Sequence, residues 1–172
     1  VAYKDYEWMM ALVEEMVEKI ALDLHGTTQV KVGDNLIDFK RPWKRFTMFE
    51  AIQHFTGQDI SAMEEAELRQ TAASLKVDLD PTMGKGKIID EIFGQLCEPN
   101  LIQPTFITDY PVEMSPLAKK HRSKEGLVER FEAICNRKEL CNAFSELNDP
   151  IDQRKRFEYQ LELGRRGDQE SM

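Results

Sequence analysis

The sequence predicts an α/β fold in the broad, α+β sense: part of an antiparallel sheet carrying a helical insertion. Three observations predict it. Residues 127–135 and 138–146 alternate with the period of paired strands around Asn136-Arg137. Residues 6–24 repeat apolar side chains at helical spacing. Residues 58–99 repeat that spacing in shorter runs, set between strand-like segments.

Length and composition bound what the chain can be. With 172 residues, 41% apolar and 31% charged, it has room for one domain with a real core. No stretch of about 18 apolar residues exists, so no membrane span is expected. Neither is a signal peptide, because Val1-Ala2-Tyr3-Lys4-Asp5 lacks the pattern. Cys97, Cys135 and Cys141 have no framework or zinc-knuckle spacing, and none forms a Cys/His cluster with His25, His54 or His121. That usage fits a reducing, cytoplasmic setting. The net charge of −8 argues against this segment being the main nucleic-acid-gripping surface.

From the N-terminus, Met9, Leu12, Val13, Met16, Val17, Ile20 and Leu24 form the apolar stripe of a helix over 6–24, stopped by Gly26. Residues 28–39 read as a hairpin, with Gly33-Asp34-Asn35 as turn chemistry and Pro42-Trp43 closing it. Thr47-Met48-Phe49-Glu50 has capping-box spacing and heads a short helix to about Phe55, before Gly57. Ser61-Ala62-Met63-Glu64 has the same spacing and is expected to head a helix to about Lys76. Gly84-Lys85-Gly86-Lys87 lacks the spacing of a phosphate loop and reads as a loose start to a third helix, ended before Pro99. Residues 101–109 read as a strand and 111–126 as loop. After the strand pair, Asp149-Pro150 opens a polar helix, Asp149 as cap and Pro150 at the first position, ending near Gly164.

The strand pair holds the chemistry. Strict antiparallel pairing around Asn136-Arg137 sets Ile134 opposite Glu139 and Glu132 opposite Cys141. Glu132 and Glu139 then become diagonal neighbours on one face. Two carboxylates so placed are either solvated strand residues or the ligands of a hard divalent cation such as Mg²⁺, with phosphates in train.

Two long motifs carry a resemblance. Phe106-Ile107-Thr108-Asp109-Tyr110-Pro111-Val112-Glu113-Met114-Ser115-Pro116-Leu117-Ala118 is similar to a strand and loop of class II lysyl-tRNA synthetases. Asn142-Ala143-Phe144-Ser145-Glu146-Leu147-Asn148-Asp149-Pro150 resembles that family's amino-acid-binding strand. Ala2-Tyr3-Lys4-Asp5-Tyr6 with Met9-Met10 is similar to the segment just after the family's second motif. Aspartyl and asparaginyl relatives share the architecture but not the second string.

The resemblance implies a partial catalytic domain over 1–172, with 58–99 as an insertion within it. It implies a chain that begins after the second motif and ends, at Asp168-Gln169-Glu170-Ser171-Met172, before the third, without the first motif or the anticodon-binding domain. It implies activation of lysine with ATP to lysyl-adenylate and transfer to tRNA(Lys) by a longer, homodimeric parent, with the fragment alone inactive. Glu132 and Glu139 fall where the family holds Mg²⁺ and ATP; Asn142, Phe144 and Glu146 fall where it holds lysine. An ammonium on an apolar stem wants an anion at its end and apolar lining along it, which Glu146 and Phe144 supply. The plainer role for Glu146 is capping the helix near Asp149. The other reading of the whole is a non-catalytic, synthetase-like binding or regulatory domain.

The resemblance carries two further expectations. The family has a Gly in the turn where this chain reads Asn136-Arg137-Lys138, which implies a changed turn. By strict alternation Glu139 faces away from Asn142, Phe144 and Glu146, so one shared cleft requires a β-bulge near Leu140-Cys141.

Overall fold

Residues 1–165 are described by the structure, a computed structural model; the terminal run from Asp168 to Met172 lies outside them. Helix α1 (Tyr6–His25) begins where the Trp8 amide donates to the Asp5 carboxylate, a side-chain cap. It ends where Gly26 takes a φ of 69°, a left-handed stop that costs glycine nothing. The hairpin follows: β1 (Gln29–Val32) pairs antiparallel with β2 (Asn35–Asp38), and Val32 opposite Asn35 leaves Gly33-Asp34 as a two-residue turn.

Strand β3 (Lys44–Thr47) runs directly into α2 (Met48–Thr56). The Thr47–Glu50 capping box is present in both directions. Helix α3 (Glu65–Ser74) starts later than expected. Ser61 does not cap it; its amide and hydroxyl turn back and donate to Asp59, at 3.0 and 2.7 Å. Instead the Glu64 amide donates to the Glu67 carboxylate at 3.0 Å. Helix α4 (Lys85–Leu96) begins at the glycine-lysine run with no side-chain cap.

Strand β4 (Thr105–Thr108) is shorter than 101–109, because Glu98–Asn100 coils into a 3₁₀ turn and Pro104 precedes the first paired residue. A second 3₁₀ turn occupies Val112–Met114. Strands β5 (Arg130–Cys135) and β6 (Lys138–Phe144) and helix α5 (Pro150–Arg165) complete the described chain. The sheet order is β3-β4-β5-β6, with β3 parallel to β4 and the other pairs antiparallel.

Alternation along the strands sorts two cores. Phe106, Phe131 and Ala133 face α1, packing on Tyr6, Met10, Val13 and Trp43. Ile107 and Ile134 face the other way, into a larger cluster with Ile52 of α2, Leu68 of α3 and Ile88, Ile89 and Ile92 of α4. Each fully buried Ile or Phe contributes about 1.5–3 kcal/mol relative to exposure. The sheet is therefore packed on both faces, with β6 its more exposed strand. Among the described residues no helix is long and apolar enough to cross a membrane.

Candidate functional site

The turn between β5 and β6 sets the site's register. Asn136 and Arg137 take φ values of 51° and 65°, the left-handed pair of a tight hairpin turn. Arg137 thus keeps the conformation a glycine would adopt freely, at a cost of about 1–2 kcal/mol. Asn35 Nδ2 donates to Asn136 Oδ1 at 2.7 Å, tying this turn to the β1–β2 hairpin.

Beyond the turn the pairing is Cys135 with Lys138 and Ile134 with Glu139, then Ala133 with Cys141. Leu140 has no partner: it is the extra residue of a β-bulge, at the position the sequence required. The bulge also corrects the strict pairing, since Glu132 stands opposite Asn142 rather than Cys141, and Arg130 opposite Phe144. Opposite residues share a face, so Arg130, Glu132, Glu139, Asn142 and Phe144 lie on one side of the sheet.

Glu132 is half-buried beside a cavity of about 230 Å³ lined by Lys87, Asp90, Tyr110, Arg130 and the start of α4. Burial pushes its carboxyl above the usual range, and the charges of Glu139 and Asp90 add to this; Arg130, an ion-pair partner, opposes it. The Tyr110 hydroxyl is fully buried at the cavity wall, close enough to Glu132 to feel its charge, yet makes no hydrogen bond of ordinary geometry. Burial first, and then Glu132, push its ionisation up.

Asn142, Phe144 and Glu146 line a second, open groove of about 820 Å³ together with Asp5, Lys119, Arg122 and Glu129. Phe144 is half-buried against the larger core; Glu139, Asn142 and Glu146 are exposed. Arg122 is committed to Glu129 at 2.6 Å and to Asp5 at 3.2 Å. Glu146 enters no ion pair among the described residues. It does not cap α5: the amides of Ile151 and Asp152 donate to Asp149, at 2.9 and 3.2 Å.

Two oxygen-bearing carboxylates on one sheet face are the donor set a Mg²⁺ ion takes when phosphates supply other ligands. No group of three or more His, Cys, Asp or Glu is placed to hold a metal unaided among the described residues. Burial pushes the Cys97 and Cys135 thiols up to about 12 and 11, so both are protonated at neutral pH. Sequence reasoning missed Arg130, although its place two residues before Glu132 on an alternating strand puts both on one face. It also missed Tyr110 and Asp90, which arrive from distant elements and leave no local signal.

The family model for tRNA synthetases class II (D, K and N) matches residues 1–171. The chain is 65% identical, over all 172 residues, to the lysine–tRNA ligase of Porphyromonas gingivalis strain ATCC 33277. It is 55% identical over 172 residues to the lysine–tRNA ligases of Azobacteroides pseudotrichonymphae and Christiangramia forsetii. In each comparison the whole of this chain is covered, but only 30%, 34% and 30% of the relatives' respective lengths.

Proposed function

The chain belongs to the class II tRNA synthetases of the D, K and N group, and we propose that it forms the substrate-binding face of a lysine–tRNA ligase. Within a longer, cytoplasmic, homodimeric protein, that face serves activation of lysine by ATP and transfer of lysine to tRNA(Lys). The observation that carries the reading is the bulge at Leu140. It puts Glu139 on the same side as Glu132, Asn142 and Phe144, so one strand pair can present carboxylates to a nucleotide and a pocket to an amino acid.

Glu132 and Glu139 would hold Mg²⁺, which neutralises phosphate charge when bound with ATP. Asn142 offers an amide to the amino acid's polar end. Phe144 lines the aliphatic stem. Glu146, exposed to the groove and spared by Asp149 from capping duty, receives the ammonium. The 55–65% identity to lysine–tRNA ligases supports this choice of amino acid.

Calorimetric titration tests it, on a protein of the relatives' full length carrying this chain. Glu146→Gln is expected to weaken lysine by about ten- to several-hundredfold, the loss of a charge-assisted bond, and to leave Mg·ATP nearly unchanged. Glu139→Gln is expected to do the reverse. Unchanged lysine affinity in Glu146→Gln defeats the assignment.

A further inference from the structure

Arg130 donates to four acceptors drawn from different parts of the fold. Its Nη1 reaches Ser115 Oγ at 2.8 Å and the Met114 carbonyl at 3.1 Å, both at the 3₁₀ turn after β4. Its Nη2 reaches Glu132 Oε1 at 2.5 Å, and its Nε reaches Asn142 Oδ1 at 3.3 Å. The guanidinium also lies 4.5 Å from the centre of the Tyr110 ring, a cation–π contact. Only 16% of the side chain is exposed, so these contacts act in a partly desolvated setting.

The four contacts divide into two anchors and two loads. Ser115 Oγ and the Met114 carbonyl, with the Tyr110 ring beneath, fix the guanidinium plane. The remaining donors point at Glu132 and Asn142, which face each other across the β5–β6 ladder. A guanidinium is a rigid fork: it cannot rotate to suit one partner without leaving the other. An arginine serving only to fasten the 3₁₀ turn would need just the first pair.

We propose that Arg130 is a positioning residue that couples the two halves of the site, holding the Glu132 carboxylate and the Asn142 amide in one arrangement so that lysine and Mg·ATP each favour binding of the other. This rests on the assignment of Glu132 to the nucleotide and Asn142 to lysine. Arg130 touches neither substrate in this scheme. Its guanidinium binds the half-buried Glu132 carboxylate and the Asn142 amide oxygen at once, before any cation arrives. Binding of one substrate then finds the residue that serves the other already oriented, and the ordering cost is met once for both.

The test is calorimetry on a protein of the relatives' full length carrying this chain, with lysine alone, Mg·ATP alone, and lysine in the presence of Mg²⁺ and a non-hydrolysable ATP analogue. Arg130→Met is expected to weaken lysine alone and Mg·ATP alone by about fivefold or more each, and to abolish their mutual enhancement. Glu132→Gln is expected to weaken the nucleotide only, and Asn142→Ala lysine only. Arg130→Lys keeps the charge but not the fork. It is expected to restore nucleotide affinity while lysine stays weak. The proposal is overturned if Arg130→Met lowers only the active fraction and leaves both dissociation constants as in the parent, the mark of a purely structural arginine. It is overturned equally if Arg130→Lys restores both affinities, and that variant alone decides if Arg130→Met does not fold. If Glu132→Gln and Asn142→Ala change neither affinity, the failure belongs to the underlying assignment instead.

Discussion

The Tyr6 hydroxyl donates a 3.1 Å hydrogen bond to the Asp109 carboxylate, across 103 residues of chain. It joins the first turn of α1 to the residue just after β4. Asp109 is buried and sits at a φ of 56°, a conformation Asp tolerates better than most residues. Lys124 supplies its counter-charge, and His121 Nε2 lies 3.8 Å away. Burial, reinforced by Asp109, pushes the Tyr6 ionisation well up, so the phenol is a donor at neutral pH.

Tyr6→Phe is accordingly expected to cost about 1–2 kcal/mol, because Asp109 loses a donor but keeps Lys124. For a chain of this size that is a fall in melting temperature of about 2–4 °C per kcal/mol. Asp109→Ala is expected to cost more, leaving the Tyr6 hydroxyl only its 3.4 Å contact with His121 Nε2 and placing alanine in a left-handed conformation. Equilibrium denaturation checks both, and equal losses would argue against the Tyr6–Asp109 bond as the link.

Two glycines of α4 should respond oppositely to alanine. A Cβ on Gly86 would meet Glu113 Cβ at 2.9 Å and its backbone carbonyl carbon at 3.0 Å, whereas one on Gly94 meets nothing within 4 Å. Gly94→Ala is expected to stabilise by about 0.5–1 kcal/mol through helix propensity. Gly86→Ala is expected to destabilise by about 1–3 kcal/mol despite the same propensity gain. Urea midpoints of the two variants give the comparison.

Deleting Leu140 should remove the bulge yet keep Glu139 on the face of Asn142 and Phe144, because Glu139 then stands two residues before Asn142 in a regular strand. In the full-length protein the expected result is retained secondary structure, retained lysine binding and retained Mg·ATP binding. Circular dichroism together with the two titrations reads this directly. Lost nucleotide affinity would show that the bulge itself, and not only the shared face, is needed by the nucleotide half.

Acid should act through Glu129. Its hydrogen bond with Arg122 holds the buried carboxyl below the ordinary 4.5. A depressed native value means that the stabilisation is complete above the unfolded value and lost as pH falls through the native one. Glu129→Gln is therefore expected to be less stable than the parent at neutral pH. The two stability curves should converge in acid, as pH falls below 4.5 and through the depressed native value. Melting temperatures across pH 7 to 3 test the sign, and a constant gap would contradict it.

How far the fold was legible depended on the range of the interaction. Thr47–Glu50, Gly26 and Asp149-Pro150 are local signals, and each sits where the spacing placed it. Ser61 misled because Asp59, two residues earlier, competes for the same amide and hydroxyl. Strand β3 carries no alternation of its own: Lys44-Arg45-Phe46-Thr47 becomes a strand only by lying along Thr105–Thr108. The bulge was legible because two functional demands on β6 conflicted in parity. Arg130 was not, because its four partners converge only in three dimensions.

The parallel pairing of β3 with β4 sets an order in time as well as in space. Helices α2, α3 and α4 all lie between these strands in the chain, so the pair must close a long loop before its hydrogen bonds contribute anything. The helices need no such closure: Ile52, Leu68 and Ile89 meet across short connections. The helical cluster therefore gathers first and draws the two strands within reach, and β5 and β6 add afterwards. Substitutions at Ile52 or Leu68 should slow folding, while those on β6 should mainly speed unfolding.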